Sequence, residues 1–271
     1  MGPFNFKEYK PQGKRDQYFL KNKEIAREQV DRADVQKDDI VLEVGAGIGN
    51  LTQEILTRKP KKIKIIEKDR ELLKILKEKF KNSNVEIIEG NALKKDFESF
   101  DKSISNLPYS ISSEITFKLL NYQFKSAVWM YQKEFAERIV ATSGTKRYGR
   151  LTVNVKYFAN VQLIREVSKN NFEPQPEVDS AIISIEPKEK LPKLLDQDLF
   201  FDLTRAVFTQ RRKKLKNALE NTIHMISELE KNDFKNVKSK LTQYLHKRPE
   251  EITPEEYVEI SNKIKRTVSD E

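Results

Sequence analysis

The 271-residue chain contains no cysteine and only two histidines, His224 and His246. The absence of cysteine excludes disulfides, thiolate zinc sites and a cysteine nucleophile. Both histidines lie far along the chain from the motifs described below. We therefore expect neither a catalytic histidine nor a metal site.

The sequence also has no apolar run approaching the ~18 residues of a membrane helix, and no signal peptide is visible. These absences favour a cytoplasmic protein that does not bind a membrane. Basic residues exceed acidic ones and give the chain a net charge of +9. That excess favours a polyanionic partner such as RNA.

A strand, a glycine turn and a helix follow one another early in the chain. Residues 40–44 form a short apolar run rich in β-branched side chains, which is typical of a buried strand. The turn at 45–49 has the pattern Gly-x-Gly-x-Gly, unlike the Gly-x-Gly-x-x-Gly of dinucleotide binders. Helical spacing follows at once, so Gly45 and Gly47 are candidates for bringing the backbone close to a cofactor.

Polar residues stand at the ends of the predicted strands. Glu43 lies at the end of the first strand, where it could hold a cationic amino-acid group. Glu67 ends the strand at 64–66 and is placed to hold both ribose hydroxyls of a nucleoside, although a solvated acid at a strand end is common. Asn91 follows the strand at 85–88 and could reach an adenine edge with its amide. Ligands bind at the carboxyl ends of parallel strands, so we expect an α/β, doubly wound sheet with its site there.

The fourth predicted strand leads into Asn106-Leu107-Pro108-Tyr109. An aromatic amine such as adenine N6 is a poor nucleophile, because its lone pair is delocalised into the ring. The amide oxygen of Asn106 and the carbonyl of Leu107 could accept its two N–H bonds and turn the lone pair toward a methyl donor. Pro108 would aim that carbonyl, and Tyr109 offers a face on which a base can stack. The alternative for the tetrapeptide alone is a turn after a strand.

Six ordered segments resemble the S-adenosylmethionine-dependent rRNA adenine N6-dimethyltransferases, of the KsgA type that modifies the small ribosomal subunit. These segments are 17–20, 43–52, 106–113, 148–153, 172–181 and 208–217. The resemblance covers most of the chain. Asn91 departs from it, because the family usually has Asp there; Asn keeps an acceptor oxygen for an adenine amino group but loses the charge.

The resemblance implies a Rossmann-like methyltransferase sheet with a smaller C-terminal helical domain, and S-adenosyl-L-methionine as the cofactor. It implies cofactor contacts from Gln17, Leu20, Ala92 and Asn106 in addition to the glycines and acids named above. It further implies dimethylation of N6 of two adjacent adenosines near the 3′ end of small-subunit rRNA, coupled to ribosome biogenesis. We expect the enzyme to be a monomer.

Phe172 stands in a Phe-x-Pro-x-Pro segment and could simply belong to the core. Two prolines, however, make a rigid extended loop with few backbone donors, which suits a fixed projection better than a buried residue. The resemblance assigns Phe172 to the target base. We therefore expect it to flank a flipped adenine opposite Tyr109.

Three parts are predicted along the chain: a basic arm at 1–22, a methyltransferase domain at 23–186 and a helical RNA-binding domain at 187–271. Residues 187–193 have the composition of a linker, because two prolines and four charges surround one leucine. Thr253 precedes a proline and two acids, which is typical of a helix start.

Six basic residues and no acid lie between Arg205 and Leu219. Such a run is usually a solvated helix face, but here it matches a segment of the family, which favours contact with rRNA phosphates. The RNA-binding candidates are Arg211, Arg212, Lys213 and Lys214, with Arg147 and Arg150 as weaker ones.

Two other functions remain open at this point. One is a related methyltransferase that modifies large-subunit rRNA and gives antibiotic resistance. The other is a non-catalytic RNA-binding assembly factor that retains the fold. The basic C-terminal segment and residues 178–181 lean against the first, and the intact Asn106-to-Tyr109 motif leans against the second.

Overall fold

The computed structural model describes residues 17–226, 229 and 233–269. The chain divides into two compact units, residues 1–136 with 160–187 and residues 137–159 with 188–271. This division differs from the predicted one at 137–159, which belong to the second unit because side chains of this segment pack into its core. The predicted basic arm lies outside the described residues up to position 16.

Among the described residues, the strands lie in the first unit, except that one begins at Ala159 of the second unit. They are β1 Phe19–Leu20, β2 Ile40–Val44, β3 Lys62–Glu67, β4 Val85–Glu89, β5 Lys102–Asn106, β6 Ser126–Gln132, β7 Ala159–Val167, β8 Phe172–Glu173 and β9 Ser180–Pro187. Seven of them form one sheet in the order β4-β3-β2-β5-β6-β9-β7, while β1 pairs with β8. The sheet is parallel from β4 to β6, and β9 runs antiparallel to β6.

The topological switch point of this sheet, where the strand order reverses, lies between β2 and β5. β3 and β4 lie on one side of β2, and β5 and β6 lie on the other. Pairing between β2 and β5 ends at Leu42 and Ser103, and beyond it the Ser105 hydroxyl accepts a hydrogen bond from the Val44 N–H at 2.8 Å. Parallel sheets form ligand sites at the carboxyl ends of such strands.

Ten α-helices lie in the described residues. They are α1 Lys23–Ala33, α2 Asn50–Leu56, α3 Arg70–Lys79, α4 Ser112–Leu120, α5 Lys133–Val140, α6 Arg150–Phe158, α7 Gln197–Phe208, α8 Leu215–Thr222, α9 Phe234–Lys240 and α10 Pro254–Ser269. The Asp69 carboxylate caps α3 by accepting from the Glu71 N–H at 2.9 Å. The predicted α/β fold is confirmed.

The second unit is helical. Its core is built from apolar faces of α6, α7, α8 and α10, with Tyr148, Phe200 and Tyr257 among the buried side chains. At the start of α10, Thr253 Oγ1 accepts from the Glu256 N–H at 3.2 Å, and Glu256 Oε2 accepts from the Thr253 N–H at 2.9 Å. This reciprocal pair is a capping box, and it confirms the helix start predicted from Thr253 and Pro254. Across the described residues, none of the helices has both the length and the apolarity needed to cross a bilayer.

Candidate active site

One pocket at the carboxyl ends of β2, β3 and β5 brings together every catalytic and cofactor-binding candidate from the sequence. It lies within the first unit. The candidates that line it are Gln17, Leu20, Glu43, Gly45, Gly47, Glu67, Asn91, Ala92, Asn106, Leu107, Pro108, Tyr109 and Phe172. Residues far apart in the sequence therefore share one cleft.

The glycine turn between β2 and α2 forms part of the pocket wall, and its backbone conformation requires glycine. Gly45 and Gly47 have φ values of 76° and 59°, which lie in the left-handed region that side chains disfavour. A Cβ on Gly47 would also lie 2.8 Å from the Phe19 ring. Only glycine fits there, because the Phe19 ring occupies the space that a side chain would need.

Glu43 is a buried carboxyl group in the same wall. Its side chain is 1% exposed, and it accepts a hydrogen bond from the Thr52 hydroxyl at 2.6 Å. Burial raises the pKa of Glu43 to about 8, the Thr52 bond opposes that rise, and the charge of Glu67 adds to it. A cation beside Glu43 would favour its ionised form, so this carboxyl group is suited to hold a cationic group of a ligand.

Glu67 ends β3 and accepts hydrogen bonds from three backbone N–H groups. Its Oε2 accepts from Gly47 at 3.1 Å, and its Oε1 accepts from Lys68 at 2.8 Å and Asp69 at 3.0 Å. Burial raises the pKa of Glu67, while these three bonds act in the opposite direction. A carboxylate has about four acceptor positions, which leaves one, on Oε2, for a ligand hydroxyl. The predicted contact with both ribose hydroxyls would require the carboxylate to release a backbone partner.

The loop after β4 carries Asn91 and Ala92. Asn91 Oδ1 accepts a hydrogen bond from the Leu93 N–H at 2.9 Å, which shapes the loop and leaves that oxygen one further lone pair for a ligand. Lys118 holds the same loop from α4, because its Nζ donates to the Ala92 carbonyl at 2.9 Å and the Leu93 carbonyl at 3.2 Å. Asn91 thus has a structural bond in addition to its predicted role.

Asn106 ends β5 and lines the pocket with an unusual amide. Its Oδ1 is buried, and no described residue donates a hydrogen bond to it. An unsatisfied buried acceptor costs about 1–3 kcal/mol, and that cost is removed when a donor binds or when the amide turns to exchange its oxygen and nitrogen. The next residue is held more firmly, because the Leu107 N–H donates to the Met130 carbonyl at 3.1 Å.

Tyr109 and Phe172, the two predicted base-stacking residues, differ in their surroundings. The Tyr109 ring is half-buried, and its hydroxyl lies 2.7 Å from Ser180 Oγ. Phe172 is only 3% exposed and packs in a core cluster that includes Leu20. Phe172 lines the pocket, but most of its surface is committed to the core, which was the alternative for this residue.

The basic candidates lie in the second unit and fall into two groups. Arg211 pairs with Glu250 and donates to the Thr145 carbonyl at 2.9 Å, and Arg147 pairs with Glu137. Arg211 therefore links the turn at Thr145 to Glu250, and Arg147 is linked to Glu137 in α5. Arg211 is half-buried, and the side chains of the other five candidates are exposed: Arg147, Arg150, Arg212, Lys213 and Lys214.

Several residues that shape the pocket were missed from the sequence. Thr52 bonds to Glu43, and Lys118 holds the loop after β4. Asp69 accepts from Gln17 Nε2 at 2.8 Å, and Ser180 lies beside the Tyr109 hydroxyl. Each acts on a partner that is distant in the sequence or on another element, so spacing alone gave no signal for it.

The sheet and its pocket define a Rossmann-like α/β protein with a ligand site at its switch point. Comparison with known proteins goes further: the chain belongs to the family described as ribosomal RNA adenine dimethylase, whose sequence profile matches residues 10–261.

Individual relatives cover nearly the whole chain. A protein of Methanosarcina mazei named "Probable ribosomal RNA small subunit methyltransferase A" is 47% identical over 251 residues, 92% of this chain and 91% of the relative. A crystal structure of a dimethyladenosine transferase from Plasmodium falciparum matches with a TM-score of 0.82 at 32% identity, over 92% of this chain and 98% of that one. The 23S rRNA methyltransferase ErmE matches with a TM-score of 0.69 at 23% identity, over 91% and 99% of the two chains, which shows a shared fold.

Proposed function

We propose that this chain uses S-adenosyl-L-methionine to dimethylate N6 of two adjacent adenosines near the 3′ end of small-subunit rRNA, as part of ribosome biogenesis. One observation carries the proposal: the glycine turn, the two acids and the Asn106-to-Tyr109 segment meet in a single pocket. Membership of the adenine dimethylase family and the names of the relatives support the substrate.

The residues present fit the proposed cofactor. When bound, S-adenosyl-L-methionine supplies a methyl group on a sulfonium. The buried Glu43 carboxyl suits its ammonium group, since a nearby cation stabilises the ionised form. Glu67 has an acceptor position left for a ribose hydroxyl, and Gly45 and Gly47 line the pocket beside it. Asn91 and Ala92 would contact the adenine, and Gln17 and Leu20 would complete the wall.

The Asn106-to-Tyr109 segment would handle the target base. The adenosine leaves the RNA stack at a cost of about a few kcal/mol, unless it already lies in a loop. Asn106 and the Leu107 carbonyl accept the two N–H bonds of N6 and direct its lone pair at the methyl group, so that positioning provides most of the acceleration. Tyr109 and Phe172 contact the base. The amine loses its proton readily once alkylated, so no strong general base is needed.

The second unit would bind the RNA backbone. Arg212, Lys213 and Lys214 are exposed and carry their charge toward solvent, which suits contact with phosphates. Arg211 and Arg147 would support this surface through their pairs with Glu250 and Glu137. A cytoplasmic location and a monomeric state stay predictions.

The alternatives are less well supported. Relatives that share 40% to 47% of their residues with this chain are named for the small subunit, whereas the likeness to ErmE shows the fold alone. A non-catalytic assembly factor would not need the complete set of residues that line the pocket.

Methyl incorporation tests this proposal. The purified chain is incubated with S-adenosyl-L-methionine labelled on its methyl group and with either unmethylated small-subunit particles or large-subunit rRNA. We expect label in dimethyladenosine at two adjacent positions of the small-subunit rRNA and none in the large-subunit rRNA. Label in large-subunit rRNA alone, or in neither, would contradict the proposal.

A further inference from the structure

The Tyr109 ring contacts Tyr18 and Ser180. The two rings stack with their centroids 5.6 Å apart and their planes inclined by 26°. The Tyr109 hydroxyl lies 2.7 Å from Ser180 Oγ, and Ser180 is fully buried at the start of β9. One contact acts on the face of the ring and the other on its hydroxyl, so together they restrict both its position and its rotation.

The position of Tyr18 is itself set by its neighbours. On one side, Gln17 Nε2 donates to Asp69 Oδ2 at 2.8 Å. On the other side, the Phe19 ring fills the space that glycine leaves at Gly47, and Leu20 pairs with Phe172 between β1 and β8. The backbone on both sides of Tyr18 is therefore anchored to the pocket wall.

We propose that Tyr18 is a positioning residue for methyl transfer, which holds Tyr109 as a pre-oriented stacking platform for the target adenine. The inference rests on the proposed function. A base that stacks on a ring with fixed torsions loses less conformational entropy on binding than one that must first order the ring. Stacked aromatic rings attract each other beyond the area they bury, so the inference assigns the positioning role to the aromatic ring of Tyr18.

The test compares Tyr18→Phe with Tyr18→Leu in single-turnover methyl transfer to unmethylated small-subunit particles. We expect Tyr18→Phe to match the unchanged protein. We expect Tyr18→Leu to lower the transfer rate at subsaturating RNA and saturating S-adenosyl-L-methionine by ~3- to 10-fold, the range expected for one aromatic pair. Tyr18→Met serves as a second non-aromatic variant if Tyr18→Leu melts at a lower temperature.

The fluorescence of a modified base reports stacking of the target base directly, so it separates a positioning role of Tyr18 from a role in stability alone. An RNA fragment with 2-aminopurine at the target position is quenched when that base stacks, and we expect less quenching with Tyr18→Leu than with Tyr18→Phe. Tyr122→Leu is the matched control, because Tyr122 is also half-buried and packs against the rings of Phe97 and Phe100. It should leave the quenching unchanged.

The outcomes separate this inference from the proposed function. If Tyr109→Leu abolishes quenching and transfer while Tyr18→Leu changes neither, Tyr18 has no positioning role although the proposed function stands. Equal losses in Tyr18→Phe and Tyr18→Leu would also overturn the inference, because the hydroxyl would then be the group that matters. Absence of transfer by the unchanged protein would instead overturn the proposed function.

Discussion

Replacing Glu43 by Gln should flatten the pH dependence of the free energy of unfolding. In the folded protein burial raises the pKa of Glu43 from its ordinary 4.5 to about 8. The folded state therefore binds one more proton than the unfolded state across this window, so the stability from this group is complete at low pH and is lost as pH rises through 8. Gln keeps an acceptor for the Thr52 hydroxyl but does not titrate.

The size of this effect follows from the same pKa. Well inside the window, one proton changes the free energy of unfolding by about 1.4 kcal/mol per pH unit. Because the slope weakens as pH approaches 8, the loss between pH 6 and pH 8 is about 2 kcal/mol. Glu43→Gln should lack this loss while keeping the pH dependence that comes from other groups, including Glu67.

Urea unfolding at pH 6, 7 and 8 measures the difference. The control is Glu89→Gln, which removes an exposed carboxylate at the end of β4 and should follow the unchanged protein. Parallel stability curves for Glu43→Gln and the unchanged protein would refute the reasoning, because they would show that Glu43 is ionised in the fold at neutral pH.

The remaining predictions concern the cofactor and the RNA. Glu67→Ala should weaken S-adenosylhomocysteine binding by roughly one to two decades, since a hydrogen bond to a charged group is worth about 1.5–3 kcal/mol; calorimetry showing unchanged affinity would remove Glu67 from the cofactor site. Replacing Arg212, Lys213 and Lys214 by Gln should lower the log–log salt slope of particle binding by about 0.7 to 0.9 for each phosphate that is no longer neutralised, and an unchanged slope would mean a solvated face. Arg211→Gln should instead lower the melting temperature, because Arg211 pairs with Glu250 and Thr145; equal melting temperatures for Arg211→Gln and Arg212→Gln would contradict this.

Much of the sheet could be predicted because its strands are short apolar runs with polar ends. The strand predicted at 40–44 matches β2, and the acid predicted to end the second strand, Glu67, ends β3. The order and direction of strands could not be read from such runs. The antiparallel pairing of β9 with β6 and the placement of β7 beyond β9 depend on contacts across the sheet.

The residues that line the pocket could be predicted from the sequence, but many of their side-chain contacts could not. Strand ends and a glycine turn gave its lining residues, because parallel strands bring their carboxyl ends together. The sequence did not show that Phe172 packs into the core or that Arg211 is paired with Glu250. Both depend on neighbours far along the chain, and no local pattern encodes them.

Single-turnover methyl transfer by Asn106→Ala tests the central claim most directly. The measurement uses unmethylated small-subunit particles, with the binding of S-adenosylhomocysteine and of the particles followed in parallel. The account predicts that the transfer rate falls by about 10²–10³, as for loss of one preorganised group, while both ligands still bind. Near-normal transfer would contradict the role of Asn106 in orienting N6, and loss of binding together with transfer would show that Asn106 is structural.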